Sequence, residues 1–155
     1  MVVGAAAGWL VVTCDPQYRH CRNEVIGTAG GSRRVLPGPA TAEPYYSSWP
    51  PTGVIAPDGS TAAVAESGPH NSLTVHLINL RTGTTTDLGV PLGVPGSNFP
   101  LGPDSHTQSM AWSPDSRWLF VAAAGGRLVA ASTRTGRAES LGVTLPAVNQ
   151  VAIRA

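Results

Sequence analysis

The chain has 155 residues, a formal net charge of +1 and only 12% charged residues. That is one domain's worth of polypeptide, long enough to bury a substantial core, and it carries no electrostatic footprint for nucleic acid or an anionic membrane surface. Eighteen glycines and fourteen prolines suit a protein made of turns, and the apolar residues alternate or run in short blocks, never at the 3.6 spacing of a helix. The expected class is all-β.

In chain order, Met1–Val12 is apolar but lacks a basic leader and is too short to span a bilayer. No membrane span is expected. Trp9–Thr13 and Glu24–Thr28 read as strands flanking Cys14 and Cys21, which stand at the two shoulders of a hairpin loop. A disulfide there closes a short ring, worth about 2–3 kcal/mol in the chain-entropy picture, and implies an oxidising compartment. Two free buried thiols are the alternative. Two cysteines alone do not make a zinc site, and the neighbouring His20 does not complete one.

Arg33–Leu36 follows as an outer strand, so this first unit, 9–36, lacks an innermost strand and is read as open. The next strands are Val54–Ala56, Thr61–Glu66, Leu73–Leu80 and Thr84–Leu88, then Ser109–Ser113, Trp118–Ala122, Leu128–Ser132 and Ala138–Leu141. Pro, Asp and Gly bound these short β-branched and apolar runs, which is the strand-and-hairpin signal. Ala147–Ala155 reads as one more innermost strand.

The units 53–89 and 109–142 repeat each other. Pro57-Asp58 answers Pro114-Asp115, 57 residues later; Thr82-Gly83 and Leu88-Gly89 answer Thr135-Gly136 and Leu141-Gly142, 53 residues later. A period near fifty with four strands per unit belongs to radial architectures in which each unit is a blade. The Pro-Asp-Gly/Ser turn before an apolar strand, with a later strand ending in Thr-Gly, resembles the blades of TolB-like and WD40-like β-propellers. The WD40 dipeptides are absent, which favours the TolB-like branch.

The resemblance implies one partial β-propeller over 1–155, of about three blades of four antiparallel strands. Blades 53–89 and 109–142 are complete, and the open blade 9–36 is completed by 147–155 or by a partner. Three blades are too few to close a ring, since propellers carry four to eight. The chain is therefore expected either to be part of a longer propeller or to pair as a homodimer whose copies complete each other.

Strand alternation sorts the loops between the two ends of the blades. One end carries tight turns (57–60, 81–84, 114–117 and 133–137), and the other carries long connections (15–20, 37–52, 67–72 and 90–106). Binding residues concentrate on loops held by a rigid scaffold, so the long-loop end is the expected site. It carries Tyr18, Tyr45, Tyr46, Trp49, Phe99 and His106 as candidate partner-binding residues, with His20 and His70 nearby. Aromatics offer large, rigid contact area; the competing reading is that Tyr45, Tyr46 and Trp49 cap the blade core. Trp112 and Trp118 read as core, and His76, in mid-strand, as pointing outward or bonding a neighbour.

No nucleophile elbow, phosphate loop, dinucleotide fingerprint or carboxylate pair is present in the sequence. No cofactor, metal or catalytic residue is expected. The reading is a non-catalytic extracytoplasmic scaffold, periplasmic, secreted or in the cell envelope, that binds a protein or peptide. The alternatives are the propeller portion of a larger enzyme, such as a prolyl-oligopeptidase-like hydrolase or a quinoprotein, and a truncated piece without activity of its own.

Overall fold

A computed structural model describes residues 2–5, 8–15, 17, 20–27, 31–38, 40, 53–67, 73–92, 109–145 and 152–153. Among the described residues, twelve strands form three four-stranded antiparallel sheets, each a simple up-and-down meander. Blade 1 contains β1 (Val2–Ala5), β2 (Gly8–Cys14), β3 (Cys21–Gly27) and β4 (Arg33–Val35). Blade 2 contains β5 (Gly53–Ile55), β6 (Thr61–Ser67), β7 (Leu73–Asn79) and β8 (Thr85–Leu92). Blade 3 contains β9 (Met110–Trp112), β10 (Trp118–Ala122), β11 (Arg127–Ser132) and β12 (Ala138–Thr144). Among the described residues there is no α-helix, only a three-residue 3-10 turn at Ala124–Gly126. No described helix is long and apolar enough to cross a membrane, which leaves membrane-spanning strands unaddressed.

The innermost strands stand side by side, β5 between β1 and β9. Stacking then follows from the period-two alternation of a strand. In blade 2, Ala62, Val64 and Ile78 face blade 1, where Leu10 and Leu36 meet them. Their neighbours Ala63, Ala65, Val75 and Leu77 face the opposite way, against Trp112, Leu119 and Val121 of blade 3. Blade 2 thus buries apolar side chains on both faces because it is covered on both. Small alanines on β6 let the sheets approach, while branched and aromatic side chains fill the space between.

Inter-blade hydrogen bonds fix the stack. Trp112 Nε1 donates to the Val54 carbonyl at 3.1 Å, and the Asp58 N–H donates to Ser116 Oγ at 3.0 Å. Arg34 Nη1 reaches the Arg81 carbonyl at 3.0 Å, and its Nη2 donates to the Leu80 carbonyl.

Two features correct the sequence reading. Blade 1 is not open on its inner side: Val2–Ala5 pairs with β2 from Val2↔Val11 to Ala5↔Gly8, in the place expected for 147–155 or a partner strand. No Pro, Asp or Asn marks the short Ala5–Gly8 connection, so its turn is invisible to residue-type rules. The segment 147–155 lies outside the described residues except for 152–153, which are in no strand. The outer strands β8 and β12 also run past the expected Leu88 and Leu141 to Leu92 and Thr144. Gly89 (φ 61°) and Gly142 (φ 69°) form bulges at equivalent points of the repeat, and each shifts the pairing register. A glycine in the left-handed region is what such a bulge requires.

Candidate functional site

The end of the blades where β2 passes to β3, and β6 to β7, carries the long connections. The candidate binding residues Tyr18, Tyr45, Tyr46, Trp49, Phe99 and His106, together with His70, lie outside the described residues. Two side-chain groups at the same end are described.

The first is the Cys14–Cys21 disulfide, which joins directly opposed residues of β2 and β3 whose Cα atoms are 4.0 Å apart. His20 is exposed beside it. The bond pins the hairpin from which the first long connection springs, and it removes both sulfurs from any metal-binding or nucleophilic role.

The second group was not read from the sequence as a cluster. Glu66, Thr74, His76 and Asp87 share the face of blade 2 directed toward blade 1, because the register pairs Glu66 with Thr74 and His76 with Asp87. Thr74 Oγ1 and His76 Nε2 are 2.9 Å apart. His76 Nδ1 is 3.5 Å from Glu66 Oε2, and Nε2 is 3.8 Å from Asp87 Oδ1. Glu66 and His76 are mostly buried, at 19% and 17% side-chain exposure, whereas Asp87 is open at 57%. Burial, helped by the negative charge of Asp87, pushes the Glu66 carboxyl up to about 7. Its Oε1 is buried without a hydrogen-bond partner among the described residues.

Hydroxyl, imidazole and carboxylate in line is the order used by nucleophilic hydrolases. Here burial raises the terminal acid to about 7, well above a carboxylate that would stay charged behind a catalytic imidazole, and a second carboxylate approaches the nitrogen that faces the hydroxyl. What the geometry supports is a largely buried carboxyl and imidazole standing side by side on the face of blade 2 toward blade 1, with Asp87 at their open side. Among the described residues no group of three or more His, Cys, Asp or Glu is arranged to hold a metal ion.

A third polar group lies on the side of blade 1 away from blade 2. Glu24, 1% exposed, accepts from Thr13 Oγ1 at 3.0 Å, from Arg22 Nε at 2.8 Å and from Arg33 Nε. Burial alone would raise its carboxyl, but the bonds from Arg33, Thr13 and Arg22 outweigh it and hold the group below the usual range. This acid is neutralised and bonded, a structural role.

The two tryptophans expected in the core separate. Trp112 is buried at 9% exposure, but Trp118 is 44% exposed. Its neighbour Leu119 faces blade 2, so alternation turns Trp118 to the outer side of blade 3.

Three stacked four-stranded meanders with adjacent inner strands define the β-propeller architecture. Solved structures agree. The chain superimposes on the β-propeller domain of the Trilobed protease from Pyrococcus furiosus with a TM-score of 0.51 and 13% identity, covering 90% of this chain and 40% of that one. It superimposes on TolB from Acinetobacter baumannii with a TM-score of 0.50 and 11% identity, covering 96% of this chain and 33% of that one. The chain is a β-propeller by fold and spans less than half the length of these two proteins. No family model matches it, and no curated protein does.

Proposed function

We propose that the chain is a non-catalytic propeller scaffold that binds a protein or peptide through its long-loop end. The observation that carries this is the asymmetry of the connections. Hydrogen-bonded tight turns join the strands at one end (Ala56 N–H to Thr61 carbonyl, Asn79 to Thr84, Ser113 to Trp118, Ser132 to Arg137). At the other end the chain runs from Val35 to Gly53 and from Leu92 to Met110 between strands. Long connections on a rigid stack are where recognition residues gather, and Tyr45, Tyr46 and Trp49 fall within the first of them. The Cys14–Cys21 disulfide supports an extracytoplasmic setting, since such bonds persist in oxidising compartments.

The test is substitution of Tyr46 and Trp49 by Ala, with partner capture and thermal unfolding measured on the same preparations. Binding should fall at least tenfold while the melting transition stays within a few degrees. A large drop in melting temperature would place these aromatics in the core and remove the reading.

A second reading is supported by the superposition on a protease's propeller domain: the chain serves as the propeller portion of a larger enzyme. A G-x-S-x-G-bearing domain encoded in frame with this chain would favour it. Ester hydrolysis by the chain itself, lost on His76→Ala, would overturn the non-catalytic reading.

A further inference from the structure

The three blades share one turn closure among their described residues. In Gly27–Ser32, Asn79–Thr84 and Ser132–Arg137, the first residue's N–H donates to the last residue's carbonyl at 2.9 Å. The fifth residue of each is a glycine at positive φ: Gly31 (66°), Gly83 (75°) and Gly136 (65°).

Two of these turns are seated on the outer strand of the preceding blade. Gly83 of blade 2 lies so close to Pro37 that a Cβ there would overlap the proline carbonyl, and Arg34 donates to the carbonyls of Leu80 and Arg81 in the same turn. Gly136 of blade 3 lies against Thr86, whose Cγ2 would be 3.3 Å from an added Cβ. Arg34 pairs across with Val25, Thr86 with Leu77, and Glu139 with Ala130. The three residues therefore hold the same position in their blades, that of the seat for the next blade's turn.

Among the described residues one turn and one seat remain unused. Nothing lies within 4 Å of a Cβ built on Gly31. The seat at Glu139 is exposed and borders an open depression with Trp118, Arg134 and Arg137. Beside it, Phe120, Leu128 and Ala130 occupy the positions that in blade 2 (Ala63, Val75, Leu77) are buried by blade 3. Trp9 and Val35 on blade 1, and Trp118, Leu141 and Val143 on blade 3, are exposed large apolar side chains, whereas blade 2 has none among its described residues.

We propose that a second copy of this chain supplies both missing halves. Its Gly31 turn seats against Glu139 and Trp118 of the first copy, and the reverse contact closes a twofold ring of six blades, within the range at which propellers close. The segment Thr28-Ala29-Gly30-Gly31-Ser32 carries no charge. Arg134 and Arg137 then face an uncharged turn, as Arg34 does at the first junction, while Arg22 and Arg33 of the incoming blade already share Glu24. Glu139 is placed to offset Arg33, whose only acid partner among the described residues is the shared Glu24. Covering these faces also removes apolar surface that a soluble chain otherwise leaves in water.

The test is light scattering on the full 155-residue chain after size-exclusion chromatography, with circular dichroism on the eluted peak. A folded species of twice 15.9 kDa is expected, and Trp118→Glu should weaken the dimer at least tenfold while leaving the spectrum of the blades unchanged. Single variants Ser32→Cys and Glu139→Cys, mixed and oxidised, should give a linked species that neither variant gives alone. A folded monomer overturns the proposal and assigns the seat to a further blade of a longer polypeptide. An aggregating or unfolded chain overturns it equally, as does a dimer that ignores Trp118→Glu and does not cross-link. None of these readouts touches the long-loop end, so this proposal and the partner-binding reading stand or fall separately.

Discussion

The Trp112 indole N–H donates to the Val54 carbonyl at 3.1 Å, tying the innermost strand of blade 3 to that of blade 2. A single side chain thus fills the inter-blade core and satisfies a backbone acceptor on the neighbouring sheet. The two contributions can be separated by substitution.

Trp112→Phe keeps most of the apolar volume and removes the indole donor to the Val54 carbonyl. It should cost about 1–2 kcal/mol, the range for losing one bond at a partly buried acceptor. Trp112→Ala removes the volume as well and should cost about 3–5 kcal/mol. Urea unfolding at neutral pH distinguishes them. Equal losses would mean that the bond contributes nothing beyond packing.

Ser116 poses a sharper question, because its φ of 61° lies in the left-handed region that its counterpart Gly59 (φ 71°) occupies without a side chain. The backbone cost of a non-glycine residue there is about 1–2 kcal/mol. Ser116 Oγ accepts from the Asp58 N–H across the blade junction and offsets that cost. Ser116→Ala keeps the strain and loses the bond, and should destabilise by about 1–3 kcal/mol. Ser116→Gly loses the bond but relieves the strain, so it should be the milder change. The reverse order in chemical denaturation would show that the bond is not what holds a serine in this turn.

Much of this architecture was legible because it rests on local rules. The Pro-Asp turns, the Thr-Gly turns and the fifty-residue period mark the eight strands of blades 2 and 3, and the unbroken apolar run Ala62–Ala65 suits a strand covered on both faces. Three features escaped for identifiable reasons. Val2–Ala5 joins its blade through a connection that carries no Pro, Asp or Asn. Leu88-Gly89 and Leu141-Gly142 look like strand ends, because a glycine that stops a strand and one that bulges it are the same residue. The Glu66–His76–Asp87 cluster depends on the pairing of three strands across a register shift at Gly89, which residue order does not reveal. Trp118 shows a further limit: an aromatic at a strand start signals a buried face only when something covers that face. The proposed partner-binding aromatics remain a reading of residue type and loop length.

The disulfide gives a compartment test and a stability test together. Thiol titration of denatured, unreduced protein should find no free cysteine, because Cys14 and Cys21 are bonded to each other. Reduction, or replacement of both residues by Ser, should cost about 2–3 kcal/mol, the closure term for a short ring, with the loss concentrated in blade 1. Two titratable thiols in native protein would contradict the bond and remove the main support for an extracytoplasmic setting.

Glu66 sets the pH dependence. Its folded carboxyl is raised to about 7 by burial and by Asp87, against an ordinary value of 4.5. The folded state therefore holds a proton that the unfolded chain has released, so stability declines as pH rises from about 4.5 to about 7 and levels off above that. The integrated effect is at most about 3 kcal/mol, and the open side toward Asp87 reduces it. Glu66→Gln keeps the shape and removes the ionisation. At pH 8 the variant should melt higher than the unsubstituted protein, and the two should converge near pH 5. Parallel melting curves across that window would mean that water or a residue of the long connections reaches Glu66 Oε1 and keeps its carboxylate charged in the folded state.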